Sequence, residues 1–266
     1  MAIFSEEQHN ERAWDDLVRD GSSFANPARP EDFRHPERII NPFGWLPDSV
    51  TDLSVLCLAA GGGRHGPIFA AQGARVTVVD ISEEMLKLDR AVAQREGLAL
   101  TTNRASMTNL AELGDATFDI VLQPVSSCYV EDLISIYREV ARVIKPGGIY
   151  VVQHKQPVSM QAASLPLAEG GYALCEPYYR VGDLPPVLGS EHREVGTREF
   201  LHTLEAILGG LCGAGFVIND VKEPRHDQVG AAPNSFQARS AYVPPYLALK
   251  ATRTESDQTD ARIWTP

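Results

Sequence analysis

The chain has 266 residues and a formal net charge of −11, so it repels phosphate backbones and anionic lipid surfaces, and neither nucleic acid nor a membrane is expected as a partner. Its 44% hydrophobic content is that of an ordinary globular protein, and no apolar run approaches the ~18 residues of a membrane span. Cys57, Cys128, Cys175 and Cys212 lie far apart with no C-x-x-C pair, which signals neither a metal site nor a disulfide framework.

The N-terminus, Met1-Ala-Ile-Phe-Ser-Glu-Glu, is acidic rather than signal-like, and a reduced, cytoplasmic protein is the expectation. Residues 1–50 read as an N-terminal helix followed by a proline-rich cap. Trp14, Leu17 and Val18 share one helical face, and Gly21 ends the pattern. Pro27, Pro30, Pro36, Pro42 and Pro47 then forbid long helices or central strands.

Val55-Leu-Cys-Leu-Ala-Ala-Gly-Gly-Gly-Arg-His-Gly66 reads as a buried strand that breaks into a glycine turn and a helix from about Arg64. Arg75-Val-Thr-Val-Val-Asp80 is a second buried strand ending on a carboxylate. Strand, glycine turn, helix and strand ending in Asp form the first unit of a doubly wound nucleotide site. Glycine lets the backbone approach a ligand closely, and Asp80 can accept from both ribose hydroxyls. The plainer alternative is a core turn with Asp80 capping a helix. Gly61, Gly63 and Gly66 also satisfy G-x-G-x-x-G, so a nicotinamide cofactor stays open on these residues alone.

Ser82 is the expected N-cap of the next helix, with Met85, Leu88 and Val92 on its buried face and Gly97 as its stop. Leu98 to Thr102 reads as the third strand. Phe118-Asp-Ile-Val-Leu-Gln123 reads as the fourth, delivering Gln123 and the residues after it to the carboxyl edge of the sheet, where doubly wound folds bind ligands. A helix over 131–144 carries Leu133, Ile136, Val140 and Ile144 and stops at Lys145-Pro-Gly-Gly, after which the fifth strand brings His154 to the same edge. Residues 155–197, rich in proline and glycine and holding Tyr172, Tyr178 and Tyr179, read as an insertion over the substrate side, with a surface excursion as the alternative. A helix over 198–212 is expected from Leu201, Leu204, Leu208 and Leu211, and 252–266 forms a polar tail.

Taken in order, the glycine turn, Phe118–Gln123, Arg142-Val-Ile-Lys-Pro-Gly-Gly-Ile-Tyr-Val-Val152, Ala214-Gly-Phe216 and Pro244-Pro-Tyr-Leu-Ala-Leu-Lys250 resemble the class I S-adenosylmethionine (AdoMet) dependent methyltransferases over residues 50–251. The likeness is greatest to the small-molecule branch that includes quinone-ring methyltransferases. It implies an α/β fold: a doubly wound, mostly parallel, seven-stranded sheet of order 3-2-1-4-5-7-6 with an insertion after strand 5, residues 51–251 forming the AdoMet-binding domain. The resemblance implies that Ala59, Ala60, Gly61, Gly62 and Gly63 of the turn, Asp80 and Ile81, Ser106 and Met107, and Gln123 and Pro124 hold the cofactor. It also implies that Asn10 to Trp14 fold over the cleft, with Trp14 as an ordinary core residue the alternative. The chain departs from the family at Cys57, where an acid is usual, at Ala59, where a glycine is usual, and at Ser106, where an acid usually meets the adenine amino group.

The function expected is methyl transfer from AdoMet to a small-molecule acceptor. An NAD(P)-dependent oxidoreductase and a non-catalytic AdoMet-binding protein are the alternatives. A general base, where one is needed, is sought among His65, His154, His192 and His202, with His154 and His202 the leading candidates. No G-x-S-x-G, P-loop or H-E-x-x-H signature is present. The acceptor atom and the oligomeric state are left open.

Overall fold

The computed structural model describes residues 5–186 and 192–255; positions 187–191 of the expected insertion and 256–266 of the expected tail lie outside them. Helix α1 (Glu6–Arg19) starts at Ser5, whose hydroxyl accepts from the Gln8 amide while the Gln8 side chain accepts from the Ser5 amide. This reciprocal cap satisfies two otherwise orphaned donors. After the short α2 (Glu37–Ile40) come β1 (Ser54–Leu58), α3 (His65–Ala71), β2 (Arg75–Asp80), α4 (Glu83–Glu96), β3 (Thr101–Arg104) and β4 (Phe118–Gln123). The second half holds α5 (Leu133–Val143), β5 (Ile144–Lys155), α6 (Pro157–Gln161), α7 (Gly210–Gly213), β6 (Phe216–Lys222), α8 (Phe236–Ser240) and β7 (Tyr246–Arg253).

The strands form one seven-stranded sheet of order β3-β2-β1-β4-β5-β7-β6. Strand β7 runs antiparallel to both β5 and β6, and the remaining neighbours are parallel. The inner strands are near-continuous apolar runs because helices cover both faces. On one face Leu56, Leu58, Val121 and Val152 pack against Ile136, Tyr137 and Val140 of α5. On the other, Val55, Cys57 and Val78 pack against Ile68 and Phe69 of α3 and Leu86 and Val92 of α4. Burying each such aliphatic or aromatic side chain contributes about 1.5–3 kcal/mol.

Three expectations shift. The third strand begins at Thr101 rather than Leu98. In α4 the buried face is Met85, Leu86, Asp89, Val92 and Ala93, so a carboxylate stands where the apolar stripe continues. The helix expected over 198–212 is shorter: a π-helical turn, Glu205–Gly209, runs directly into α7. Residues 198–203 before it are not helical: the Phe200 amide donates to the Cys128 carbonyl and the Leu184 amide to the Glu199 carbonyl, both at 2.7 Å. The insertion holds α6 and an antiparallel bridge of Ala162 with Leu174, and its Asp183 bridges Phe200 beyond it.

Candidate functional site

At the carboxyl edge of the sheet, where β1 and β4 diverge, lies a cavity of about 430 Å³, within the range of small-molecule sites. Of the residues implied by resemblance, Ala59, Ala60, Gly61, Gly62, Asp80, Ile81, Ser106, Met107 and Pro124 line it; Gly63 and Gln123 do not. Gly63 turns away: a Cβ there would stand 2.8 Å from the Leu88 carbonyl, so its glycine is required by packing on α4. Gln123 is buried behind the wall, where its Nε2 donates to Ser126 Oγ at 2.9 Å and its Oε1 accepts from the Tyr150 hydroxyl. It positions Ser126, which does line the cavity.

The glycine turn is held from below by carboxylates. The Gly61 amide donates to Asp80 Oδ2 at 2.9 Å, and the Ser82 amide to Asp80 Oδ1 at 2.9 Å. Burial raises the Asp80 pKa to about 6, with the Ser82 and Gly61 amides opposing the rise. Gly61 has no room for a side chain, since a Cβ would meet Asp80 Oδ2 and Met85 Cβ, each at 2.8 Å. Ala59, at the place of the family's first glycine, adopts φ +45°, a left-handed conformation that strains a residue carrying a Cβ.

Helix α1 lies across the cavity, which Glu7, Asn10 and Trp14 line. The Glu7 carboxylate accepts from the hydroxyls of Ser106 and Thr108, the latter at 3.0 Å, so a carboxylate reaches the Ser106 position from another element. The Trp14 and Tyr129 rings meet edge to face with centroids 5.6 Å apart.

The leading base candidates fall elsewhere. His154 is buried and absent from the cavity wall. The Tyr137 hydroxyl donates to the Ile207 carbonyl, which leaves its oxygen to accept from His154 Nε2 at 3.2 Å; His154 Nδ1 then accepts from the Ser127 hydroxyl at 2.7 Å. Burial, reinforced by the nearby His202, lowers the His154 pKa to about 3, so it is a neutral structural node. His202 Nε2 meets the Ser127 carbonyl at 3.2 Å, also off the wall. His192 is buried away from the cavity. His65 does line it, with a pKa lowered to about 4 by burial and the Arg64 charge.

A further histidine was not signalled by the sequence. His226 lines the cavity, its ring flanked edge-on by Phe236 and Tyr246 with centroids 5.4 and 5.2 Å away, and its Nε2 is buried without a hydrogen-bond partner among the described residues. Burial lowers its pKa, which favours the neutral imidazole. Gln153, Glu194 and Tyr246 complete that end. Lys155 pairs with Glu194 at 2.6 Å and with Glu199, which also pairs with Arg193. His226 sits in an irregular segment with no motif around it. The usable clue was the antiparallel last strand, which starts Tyr246 opposite Lys155 at the carboxyl edge.

The chain matches the methyltransferase domain family over residues 56–152. It is 33% identical over 231 residues to the uncharacterized methyltransferase YbaJ of Bacillus subtilis, covering 82% of this chain and 90% of that protein. To a ubiquinone biosynthesis O-methyltransferase of Bordetella pertussis it is 32% identical over 124 residues, covering 45% of this chain and 52% of the relative. A crystal structure of an S-adenosylmethionine dependent methyltransferase from Mesorhizobium loti superposes with a TM-score of 0.65 at 25% identity, over 79% of this chain and 94% of that one. With the sheet order, the glycine turn and the carboxylate at the end of β2 all in place, the chain belongs to the AdoMet-dependent methyltransferases.

Proposed function

We propose that this AdoMet-dependent methyltransferase acts on a small-molecule acceptor held where Tyr129, Gln153, Glu194, His226 and Tyr246 line the cavity, with the cofactor between Asp80 and Pro124. The observation that carries this reading is the division of one cavity. Asp80, Ser106 and the turn residues Gly61 and Gly62 stand at one end, aromatic rings and an unpartnered imidazole nitrogen at the other, and α1 lies across them. An enclosed site of this kind suits a small acceptor better than a macromolecule.

The residues present fit the cofactor. Each Asp80 oxygen accepts one backbone bond, and an ionised carboxylate offers about four lone-pair sites, so acceptor capacity is left for ribose hydroxyls. Glu7, beside Ser106, supplies a carboxylate for the adenine amino group. The cofactor brings a methyl group on a sulfonium centre, and transfer is an in-line displacement for which positioning is the main requirement. Trp14 and Tyr129 offer aromatic faces of the sort that attract cations. His226, neutral and with a free Nε2, accepts the acceptor's proton as the new bond forms. The ring-lined wall and the partial likeness to the O-methyltransferase support a ring-bearing acceptor with an acidic hydroxyl.

The test is calorimetric titration with AdoMet and with NADH, followed by transfer of labelled methyl from AdoMet to a panel of small phenols. AdoMet binding with label transfer is expected. His226→Phe should lower kcat by about 10²–10⁴-fold with AdoMet affinity unchanged. Binding of NADH and not AdoMet would overturn the cofactor assignment. Binding without transfer to any acceptor would favour the non-catalytic alternative.

A further inference from the structure

The amides of the glycine turn are anchored by two carboxylates, and neither stands on β1. Asp80 closes β2 and takes the Gly61 amide. The second is Asp89 of α4, whose Oδ2 accepts from the Gly62 amide at 3.0 Å, alongside the Met85 carbonyl, which accepts from the same amide at 3.1 Å. Asp89 is completely buried, on the inward stripe between Met85 and Val92, where an aliphatic residue is expected. Its Oδ1 has no hydrogen-bond partner among the described residues and lies against Gly66, where a Cβ would come within 3.1 Å of it. Burial raises its pKa to about 7; the Gly63 and Gly62 amides pull the other way, and the Asp80 charge adds to the rise.

A buried, half-satisfied carboxylate is costly to keep. Cys57, in the place on β1 where the resemblance leads one to expect an acid, packs in the same core cluster as Val78, the residue that Gly66 abuts. Its thiol pKa is pushed well above the ordinary value by burial and then by the Asp89 charge, so the thiol stays neutral. In a trans peptide the N–H and C=O point in opposite directions. Anchoring the Gly62 N–H to α4, through Asp89 and the Met85 carbonyl together, therefore turns the Gly61 carbonyl away from that helix, on the part of the turn where Gly61 and Gly62 line the cavity. That carbonyl is an acceptor suited to an ammonium group.

We infer that Asp89 is a positioning residue for the cofactor, supplying from α4 the carboxylate that β1 lacks at Cys57 and aiming the Gly61 carbonyl at the amino-acid end of AdoMet. This rests on the reading of the cavity as the AdoMet site. Adenosine, which has no amino-acid portion, separates this role from a general structural one.

The experiment titrates wild type, Asp89→Ala, Asp89→Leu and the double variant Cys57→Asp/Asp89→Ala with AdoMet and with adenosine, above neutral pH. Asp89→Ala should weaken AdoMet on the order of 10- to 100-fold, as expected for one charge-assisted bond, with adenosine affinity nearly unchanged. The double variant should recover most of the AdoMet affinity. Equal losses for both ligands, wild-type affinity in a folded Asp89→Ala protein, or a double variant no better than the single one would each overturn the inference. Should Asp89→Ala not fold, Asp89→Leu, which fills the same space without an acceptor, decides: the same split supports the role, and unchanged AdoMet affinity overturns it. Wild-type protein that binds adenosine and AdoMet not at all would instead defeat the reading of the cavity.

Discussion

Asn10 of α1 is clasped to the far wall of the cavity: its Nδ2 donates to the Tyr129 carbonyl at 2.9 Å, and its Oδ1 accepts from the Arg198 amide at 2.7 Å. It is 3% exposed, the one buried residue of an otherwise amphipathic helix. The N-terminal helix is thereby joined to Tyr129, beside the acceptor end, and to the segment leading into the π-helical turn.

Replacing Asn10 by Ala leaves the buried Tyr129 carbonyl without its partner, at about 1–3 kcal/mol, and the part-buried Arg198 amide without its own at a smaller cost. Asn10→Ala should therefore melt lower, and hydrogen exchange across residues 6–19 should quicken more than in the sheet. Wild-type protection of that helix in the variant would show that the clasp does not hold it.

Ala59 is strained at φ +45°, a conformation that costs a non-glycine residue about 1–2 kcal/mol. Ala59→Gly should raise the unfolding free energy by roughly 1 kcal/mol after the entropy cost of glycine in the unfolded chain is deducted. Denaturant melts of the two proteins check this, and a lower midpoint for the glycine variant would contradict it.

Asp80 anchors the turn and faces the cavity at once. Asp80→Ala should weaken AdoMet on the order of 10- to 100-fold for each charge-assisted bond lost. Titration of the folded variant with unchanged AdoMet affinity would remove Asp80 from the ribose.

The pH dependence follows from the raised Asp89 pKa. Its folded value of about 7 lies above the ordinary 3.8, so between those values the folded state binds more protons than the unfolded state and stability falls as pH rises. Buried neutral histidines such as His154 act oppositely, losing stability as pH falls below 6.5. The difference between wild type and Asp89→Asn isolates the carboxylate. Wild type should lose ground to the variant steadily from about pH 5 to 7 and level off above that, as read by melting temperatures across the series. A constant difference would mean Asp89 titrates normally.

The sheet was legible because its inner strands are apolar runs with glycine or proline punctuation, a pattern that only burial on both faces rewards. Val55–Leu58, Arg75–Asp80 and Phe118–Gln123 all stand where they were expected. The helix over 198–212 was misread for a related reason. Leu201, Leu208 and Leu211 keep a helical spacing, yet Leu201 packs with Cys128 and Met160 beneath the insertion while Leu211 joins the main core. Glu199, caught between Lys155 and Arg193, ties that stretch to β5 instead of a helix.

The order of apolar runs, the glycine turn and the acid closing β2 were enough to determine a doubly wound sheet, since each depends on local backbone chemistry, whereas the choice of AdoMet over a nicotinamide cofactor came from the ordered likeness to a family. Which side chains face the cavity was decided by tertiary contacts. Along β5 the period of two sends His154 into the core against Tyr137 and leaves Gln153 on the wall. His226 and Glu7 arrive from segments far away in the chain, and Asp89 becomes a ligand of the turn only because α4 packs beneath it. Such long-range placements depend on how helices settle on a twisted sheet, and no local pattern in the chain encodes them.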